Sequence, residues 1–342
     1  MTVRPGPQNL ITDVDGISVG NAHDAALRSG VTVVVPDGGA VAGLEIRGGA
    51  PGTRETDAAD PSCLVDQVHG VVLAGGSVFG LAAADAVTTQ LAARGVGFSF
   101  RDQPHMCPIV QAANLFDLTN GGDKDWGETP PYHELGRQAF LAAGGRFDLG
   151  NAGAGCGALA GIYKGGLGSA SAEWGGFTTG AVVAVNAFGS PVVPGTGRLW
   201  ACEVELGDEF GGKPAAGAER VANSDPEAET KAQRLRSAAA AGQNTTIGVV
   251  ATTAALSPAQ ARRIAIMAAD GMSRALRPIH TPFDGDVVFA LATGSTGQEV
   301  GPLELAFLGT VASDCMARAI GRAVWEAETV DDWLSYREAH GR

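Results

Sequence analysis

Gln243-Asn244-Thr245-Thr246-Ile247-Gly248-Val249-Val250 joins a polar, Ala-rich connection to a β-branched strand whose first group is a threonine hydroxyl. An internal Thr at the tip of a strand suits self-cleavage. If the Asn244–Thr245 bond is broken, Thr245 gains a free α-amine beside its own hydroxyl, so nucleophile and base share one residue. An α-amine titrates near ~8, where it can take a hydroxyl proton at neutral pH, whereas a lysine at ~10.4 cannot. Two plainer readings compete. Asn-Thr-Thr is also a glycosylation sequon, and Thr is common in strands.

Downstream of Thr245 the pattern is regular. Thr246 to Thr252 reads as a strand. Ser257-Pro258 reads as an N-cap followed by Pro at the first helical position, and the helix runs to about Leu276. Its stripe is Ala261, Ile264, Ala268, Gly271 and Ala275. Asp286 to Thr293 is the next strand, and Leu305 to about Ala327 a last helix. Upstream, strands are expected at Val31–Val35, Val41–Ile46, Val71–Ala74 and Phe177–Val185, the last ending at Asn186. Val71–Ala74 feeds Gly75-Gly76-Ser77 and an Ala-rich helix, Leu81–Ala93. Such a turn offers backbone N–H groups to an anion or carboxylate at a helix start, although close strand–helix packing uses the same sequence. Gly207 to Gln243 is polar, charged and Ala-rich and reads as the clearest loop or linker in the chain. Strands alternating with long helices, after a strand-rich half, predict a layered α/β protein in one domain spanning residues 1–342.

Composition narrows the function. The chain has 342 residues, 45% hydrophobic and 18% charged, which describes a well-buried globular protein. Its 50 glycines fall in short runs without a collagen-like period, so they mark turns and close backbone approaches. A net charge of −13 argues against nucleic-acid and anionic-membrane partners. No apolar run reaches the ~18 residues of a membrane span, and the N-terminus lacks the apolar core of a signal peptide. Five scattered cysteines without CxxC spacing read as reduced packing residues of a cytoplasmic protein, with no metal site and no cofactor. Gly153-Ala154-Gly155-Cys156-Gly157 departs from dinucleotide-loop spacing and follows no clear strand.

Asp284-Gly285-Asp286 stands at the start of the strand after Thr245. If the two strands are neighbours and parallel, their starts share one sheet end and the carboxylates reach Thr245; if antiparallel, they do not. Carboxylates there would orient the amine and polarise the hydroxyl. A turn is the simpler use of Asp-Gly-Asp.

Taken in order, six motifs resemble one family. They are Arg47 to Asp57, Leu73-Ala74-Gly75-Gly76-Ser77, Lys164-Gly165-Gly166-Leu167-Gly168, Val185-Asn186-Ala187-Phe188-Gly189, Asn244-Thr245-Thr246, and His280 to Asp286. The chain resembles, from about Leu10 to Arg322, the self-processing N-terminal-nucleophile enzymes of the L-aminopeptidase/D-Ala-esterase/amidase type. That family includes β-peptidyl aminopeptidases and nylon-oligomer hydrolases.

The resemblance implies a four-layer α/β/β/α sandwich related to ornithine acetyltransferases. It implies autocatalytic cleavage into residues 1–244 and 245–342, which stay together, and a homotetramer. By position it makes Thr245 the nucleophile, Asn186 the oxyanion support, and Asp284 and Asp286 the paired acids of the nylon-hydrolase branch. Lys164 corresponds to the functional Lys of that branch, with different spacing around Gly161. Tyr163 corresponds to the Tyr used by aminopeptidase members. Tyr163, Gly75, Gly76 and Ser77 are expected to bind substrate, a small peptide or amide. The function implied is amide, peptide and ester hydrolysis through a Thr245 acyl-enzyme. Endo-cleavage of 6-aminohexanoate (nylon) oligomers, or acyl transfer of the ornithine acetyltransferase type, are the alternatives.

Overall fold

A computed structural model describes residues 2–101, 104–212, 225, 227–232 and 244–342. Two mixed sheets carry the fold. The larger runs in the order β1 (Arg4–Pro5), β11 (Gly166–Trp174), β12 (Phe177–Asn186), β15 (Thr245–Thr252), β16 (Val287–Ala292), β4 (Ala40–Ile46) and β6 (Gln67–Val68). The smaller runs β2 (Ile17–Asp24), β3 (Ser29–Pro36), β7 (Gly70–Ala74), β8 (Val110–Asn114) and β5 (Thr53–Arg54). Two short hairpins, β9 (Leu159–Ala160) with β10 (Tyr163–Lys164) and β13 (Val192–Val193) with β14 (Arg198–Leu199), lie outside the sheets. Among the described residues the α-helices are α1 (Ala83–Ala93), α2 (Tyr132–Leu141), α3 (Pro258–Ser273), α4 (Pro302–Trp325) and the short α5 (Tyr336–Ala339).

The period-two rule explains the packing. Ile247, Val249 and Ala251 of β15 turn inward with Phe289 and Leu291 of β16, meeting Val34, Val71 and Leu73 of the other sheet in one buried cluster. The alternate residues Val250 and Val288 face the opposite way and pack with Ile264 and Met272 of α3 and with Met316 and Ile320 of α4. On the outer face of the smaller sheet, Val31, Val33 and Val72 pack with Val87 and Leu91 of α1 and with Leu135 and Phe140 of α2. β15 is therefore buried along its whole length, as its near-continuous apolar reading requires.

Helix α3 begins as its sequence directs. The Ser257 hydroxyl accepts the Gln260 N–H, the Gln260 side chain accepts the Ser257 N–H at 2.8 Å, and Pro258 takes the first helical position. The expected helix from Leu81 is corrected at its start. Ser77–Ala82 is a 3-10 segment, and α1 begins only at Ala83. Strand β11 (GLGSASAEW) shows no apolar alternation because α4 lies directly on it. A Cβ at Gly168 would stand 1.9 Å from the Ala319 carbonyl oxygen, and one at Gly166 would stand 2.5 Å from that of Ala323. Arg318 of α4 is buried and donates to both carboxylate oxygens of Glu209, at 2.6 and 2.9 Å.

Of the connection expected from Gly207 to Gln243, most lies outside the described residues. Among the described residues no helix is long and apolar enough to cross a membrane.

Candidate active site

β15 has two different neighbours. It is antiparallel to β12, with Asn186 paired opposite Thr245, and parallel to β16, with Ile247 opposite Val287. The parallel pairing decides the question the sequence left open. The start of β15 and the Asp284–Asp286 turn share one sheet end, and Asn244 forms a parallel bridge with Asp284. Thr245, Asn244, Asn186, Asp284 and Asp286 are thus brought together, and all five are buried.

At their centre lies the intact Asn244–Thr245 peptide. The Thr245 hydroxyl donates to the Asn244 carbonyl oxygen, the carbonyl of the bond expected to break. That oxygen also accepts the Gly285 backbone N–H at 3.0 Å. Gly285 has no room for a side chain, since a Cβ there would lie 2.8 Å from the Thr245 hydroxyl oxygen and 2.7 Å from the Ala50 carbonyl oxygen. Among the described residues, neither the oxygen nor the nitrogen of the buried Asn244 side chain has a hydrogen-bond partner. Such an arrangement is costly for a residue beside the bond expected to break.

The acidic pair surrounds Thr245 through the backbone. Asp286 accepts the Thr246 N–H at 2.7 Å on one oxygen; the other takes the His280 N–H at 3.0 Å and faces His280 Nδ1 at 2.8 Å. Asp284 accepts the Thr281 N–H at 2.9 Å, the Thr281 hydroxyl at 2.6 Å and the Phe188 N–H at 3.3 Å. Burial, and next the Asp286 charge, push the Asp284 carboxyl up to about 6, against these hydrogen bonds. Among the described residues neither carboxylate hydrogen-bonds the Thr245 hydroxyl in the uncleaved chain. Phe188 and Phe283 stack at 5.7 Å beside Asp284, and Phe283 is partly exposed, which gives the site an apolar rim.

Asn186 is held from several sides. Its carboxamide oxygen accepts the Leu159 N–H at 3.0 Å and the Asn120 amide at 3.1 Å, and its nitrogen donates to the Phe116 carbonyl at 2.8 Å. A buried ammonium, Lys231, reaches the same oxygen at 3.1 Å.

Lys164 stands one step further out. Its ammonium donates to the carbonyls of Gly155, Ala158 and Gly165 at 3.1, 2.9 and 2.7 Å, which occupies all three N–H groups. Burial lowers its pKa to about 7. It fastens the Gly155–Gly165 loop that delivers the Leu159 N–H to Asn186. The Tyr163 hydroxyl donates to Glu229 at 3.0 Å and lies 3.1 Å from His340 Nε2, and burial raises its pKa.

The expectation that Gly75, Gly76 and Ser77 present N–H groups to substrate is corrected. Gly75 donates to the Gly30 carbonyl at 2.9 Å, Gly76 to the buried Asp117 carboxylate at 2.7 Å, and Ser77 to the Leu115 carbonyl at 2.9 Å. The packing reading of that turn holds instead, since a Cβ on Gly76 would enter the Tyr132 ring. Among the described residues no group of three or more His, Cys, Asp or Glu side chains is placed to hold a metal ion. Sequence reading missed the parts played by Gly285, Asn120, Lys231 and His280. Gly285 and His280 sat in a motif already noted, whereas Asn120 and Lys231 did not.

Comparison with known proteins gives the site its context. Residues 9–335 match peptidase family S58. An uncharacterized aminopeptidase of Mycobacterium bovis is 44% identical over 96% of this chain and 97% of its own length. A 6-aminohexanoate-oligomer endohydrolase of a Kocuria species is 30% identical over 92% of this chain and 86% of its own. Among solved structures, a Burkholderia β-aminopeptidase superposes with a TM-score of 0.72 at 21% identity, covering 98% of this chain and 93% of that one. An L-aminopeptidase D-Ala-esterase/amidase from Ochrobactrum anthropi, described as a variant among the Ntn hydrolase fold, gives 0.66 at 22% identity over 100% and 97%. The mixed α/β architecture is thus shared with Ntn-type neighbours, and the chain belongs to peptidase family S58 as a hydrolase of peptide or amide bonds.

Proposed function

We propose that the chain is an N-terminal-threonine aminopeptidase/amidase that frees its own nucleophile by cutting between Asn244 and Thr245. The observation that carries this reading is the Thr245 hydroxyl seated against the Asn244 carbonyl, with the Gly285 N–H already on that oxygen. In the precursor the hydroxyl oxygen attacks the Asn244 carbonyl carbon. The C–N bond breaks, the nitrogen takes the hydroxyl's proton, and Asn244 is left as an ester on Thr245. Water cleaves the ester, leaving an Asn244 carboxylate and a Thr245 α-amine. In the mature enzyme that amine takes the hydroxyl proton, Thr245 is acylated by substrate, and water releases the acid product.

The Gly285 N–H is the first oxyanion donor in this reading, and Asn186, opposite Thr245, is the second. One such donor is typically worth about 3 kcal/mol. Asp286 fixes the backbone at Thr246, and Asp284 adds negative charge beside the new amine. The four-layer α/β/β/α arrangement related to ornithine acetyltransferases and a homotetramer belong to the same reading, and the family resemblance supports them; a cytoplasmic location is supported by the five scattered cysteines without CxxC spacing.

A second reading, endo-hydrolysis of 6-aminohexanoate oligomers, is favoured by the acidic pair at Thr245 and by the Kocuria relative. One experiment separates the outcomes. Intact mass and N-terminal sequencing of purified protein should give fragments 1–244 and 245–342, followed by assay on an alanine anilide and on 6-aminohexanoate oligomers. An uncleaved chain that hydrolyses amides would refute self-activation. Turnover confined to the oligomers would replace the first specificity with the second.

A further inference from the structure

We propose that Lys231 is a positioning residue of the active site, its ammonium holding the Asn186 carboxamide as an oxyanion donor from the segment just upstream of the cleaved bond. The inference rests on the reading of Asn186 given above. Lys231 is buried and donates to the Asn186 carboxamide oxygen at 3.1 Å and to its backbone oxygen at 3.4 Å. With the Leu159 N–H and the Asn120 amide, the carboxamide oxygen receives three donors. Three donors around one atom fix that end of the amide as oxygen, so the NH2 end points the other way. A cation on the oxygen also draws density from the nitrogen and strengthens its N–H groups as donors. Asn186 pairs across the sheet with Thr245, so the carboxamide that Lys231 holds belongs to the residue opposite the nucleophile, and its nitrogen donates to the Phe116 carbonyl at 2.8 Å.

The segment around Lys231 is built to deliver it. Lys231 N–H donates to the Phe188 carbonyl at 3.1 Å, fixing the strap alongside the end of β12. Glu229 accepts the Tyr163 hydroxyl at 3.0 Å on one oxygen and the Gly195 N–H at 3.0 Å on the other. The Thr230 hydroxyl donates to the Glu227 carbonyl at 2.8 Å. The strap passes so close to Gly161 that a Cβ there would lie 2.4 Å from the Glu229 carbonyl oxygen. Immobilising and dehydrating a lysine costs rotamer entropy and hydration, and a surface ion pair does not require it. Tyr163, expected as a substrate residue, thereby acts as an anchor for the strap. Lys231 lies on the 1–244 side of the cut, so the large fragment would supply this charge to a nucleophile on the small one.

The test uses the full-length chain as wild type, Lys231→Met, Lys231→Arg, Asn186→Ala and Asn186→Ala/Lys231→Met. Processing is followed by intact mass, and kcat and KM are measured on an alanine anilide, with Tm as a folding control. Lys231→Met should slow processing and lower kcat about tenfold to a hundredfold, less than loss of Asn186 itself, at nearly unchanged KM. Lys231→Arg should recover much of the loss, and the double variant should be no slower than Asn186→Ala. Wild-type rates in Lys231→Met beside an impaired Asn186→Ala would overturn the proposal. So would a further loss from Lys231→Met in the Asn186→Ala background, an effect on KM alone, or a kcat loss that follows Tm and resists rescue by Arg. Wild-type rates in Asn186→Ala would instead overturn the reading of Asn186.

Discussion

Replacing Gly285 by Ala tests the proposed attack geometry with a single methyl group. The new Cβ would lie 2.8 Å from the Thr245 hydroxyl oxygen and 2.7 Å from the Ala50 carbonyl oxygen. The Ala50 side cannot yield easily, because Ala50 N–H donates to the Asp284 carbonyl at 2.8 Å and Gly49 N–H to that of Thr281 at 3.2 Å. The hydroxyl is the softer neighbour. Reaching ordinary contact at 3.4 Å means a retreat of roughly 0.6 Å from the carbonyl it is to attack. A displacement of about 1 Å can cost about 10²-fold, and the Gly285 N–H is tilted by the same change. Processing should therefore slow about 10- to 100-fold, or about 1.4–2.7 kcal/mol in barrier. Cell-free synthesis with intact-mass sampling over time measures this directly. Gly144→Ala, where a Cβ meets nothing within 4 Å, is the control. Wild-type processing in Gly285→Ala at unchanged Tm would mean that the hydroxyl does not attack from this position.

Further predictions concern the nucleophile, the acidic pair and the frame. Thr245→Ala should leave one intact chain without hydrolytic activity on denaturing gels and anilide assay, and Thr245→Ser should retain part of both activities. The Asp284 carboxyl is raised to about 6 from 3.8. Processing should therefore fall as pH drops through about 6 and the carboxylate takes a proton, and Asp284→Asn should lose that limb of the pH–rate profile. The stability sign is opposite to that of an ordinary salt-bridged acid. Between about 3.8 and 6 the folded state holds a proton that the unfolded chain has lost, so this group weakens folding as pH rises across that window. The Tm of Asp284→Asn relative to wild type should accordingly be most favourable above pH 6, as scanning calorimetry across pH would show. Arg318→Met should cost about 3–5 kcal/mol in urea unfolding, because Glu209 would keep a buried charge without its partner.

Long β-branched runs and capped helices were legible in the chain: β3, β4, β7, β12, β15, β16, α3 and α4 lie where Val, Ile and the Ser257-Pro258 pair indicate. β2, β8, β11 and α2 were not. β11 is built from Gly, Ser and Ala because a helix rests on it, and that contact comes from residues more than a hundred positions away. The site shows the same division. Thr245, Asn186, Asp284 and Asp286 could be picked out singly, but their meeting depends on β15 and β16 running parallel, which local sequence does not dictate. Gly285 was visible only as a turn residue. Lys231 sat in a polar stretch whose composition says solvent, and only tertiary packing puts its ammonium inside.

The bond proposed to break opens the first residue of an interior strand. Thr245–Thr252 has β12 on one side and β16 on the other, and a cut before Thr245 would leave both ladders paired. Maturation on this pathway moves no strand, but it makes assembly one-way. A precursor carries the strand into its slot on a continuous chain, whereas two separated fragments must thread it between neighbours that have already found their own partners. The mature enzyme would then be stable by kinetics, surviving while its barrier to unfolding holds and failing to re-form afterwards. The uncleavable Thr245→Ala chain would recover its fold after denaturation, while the processed pair would not.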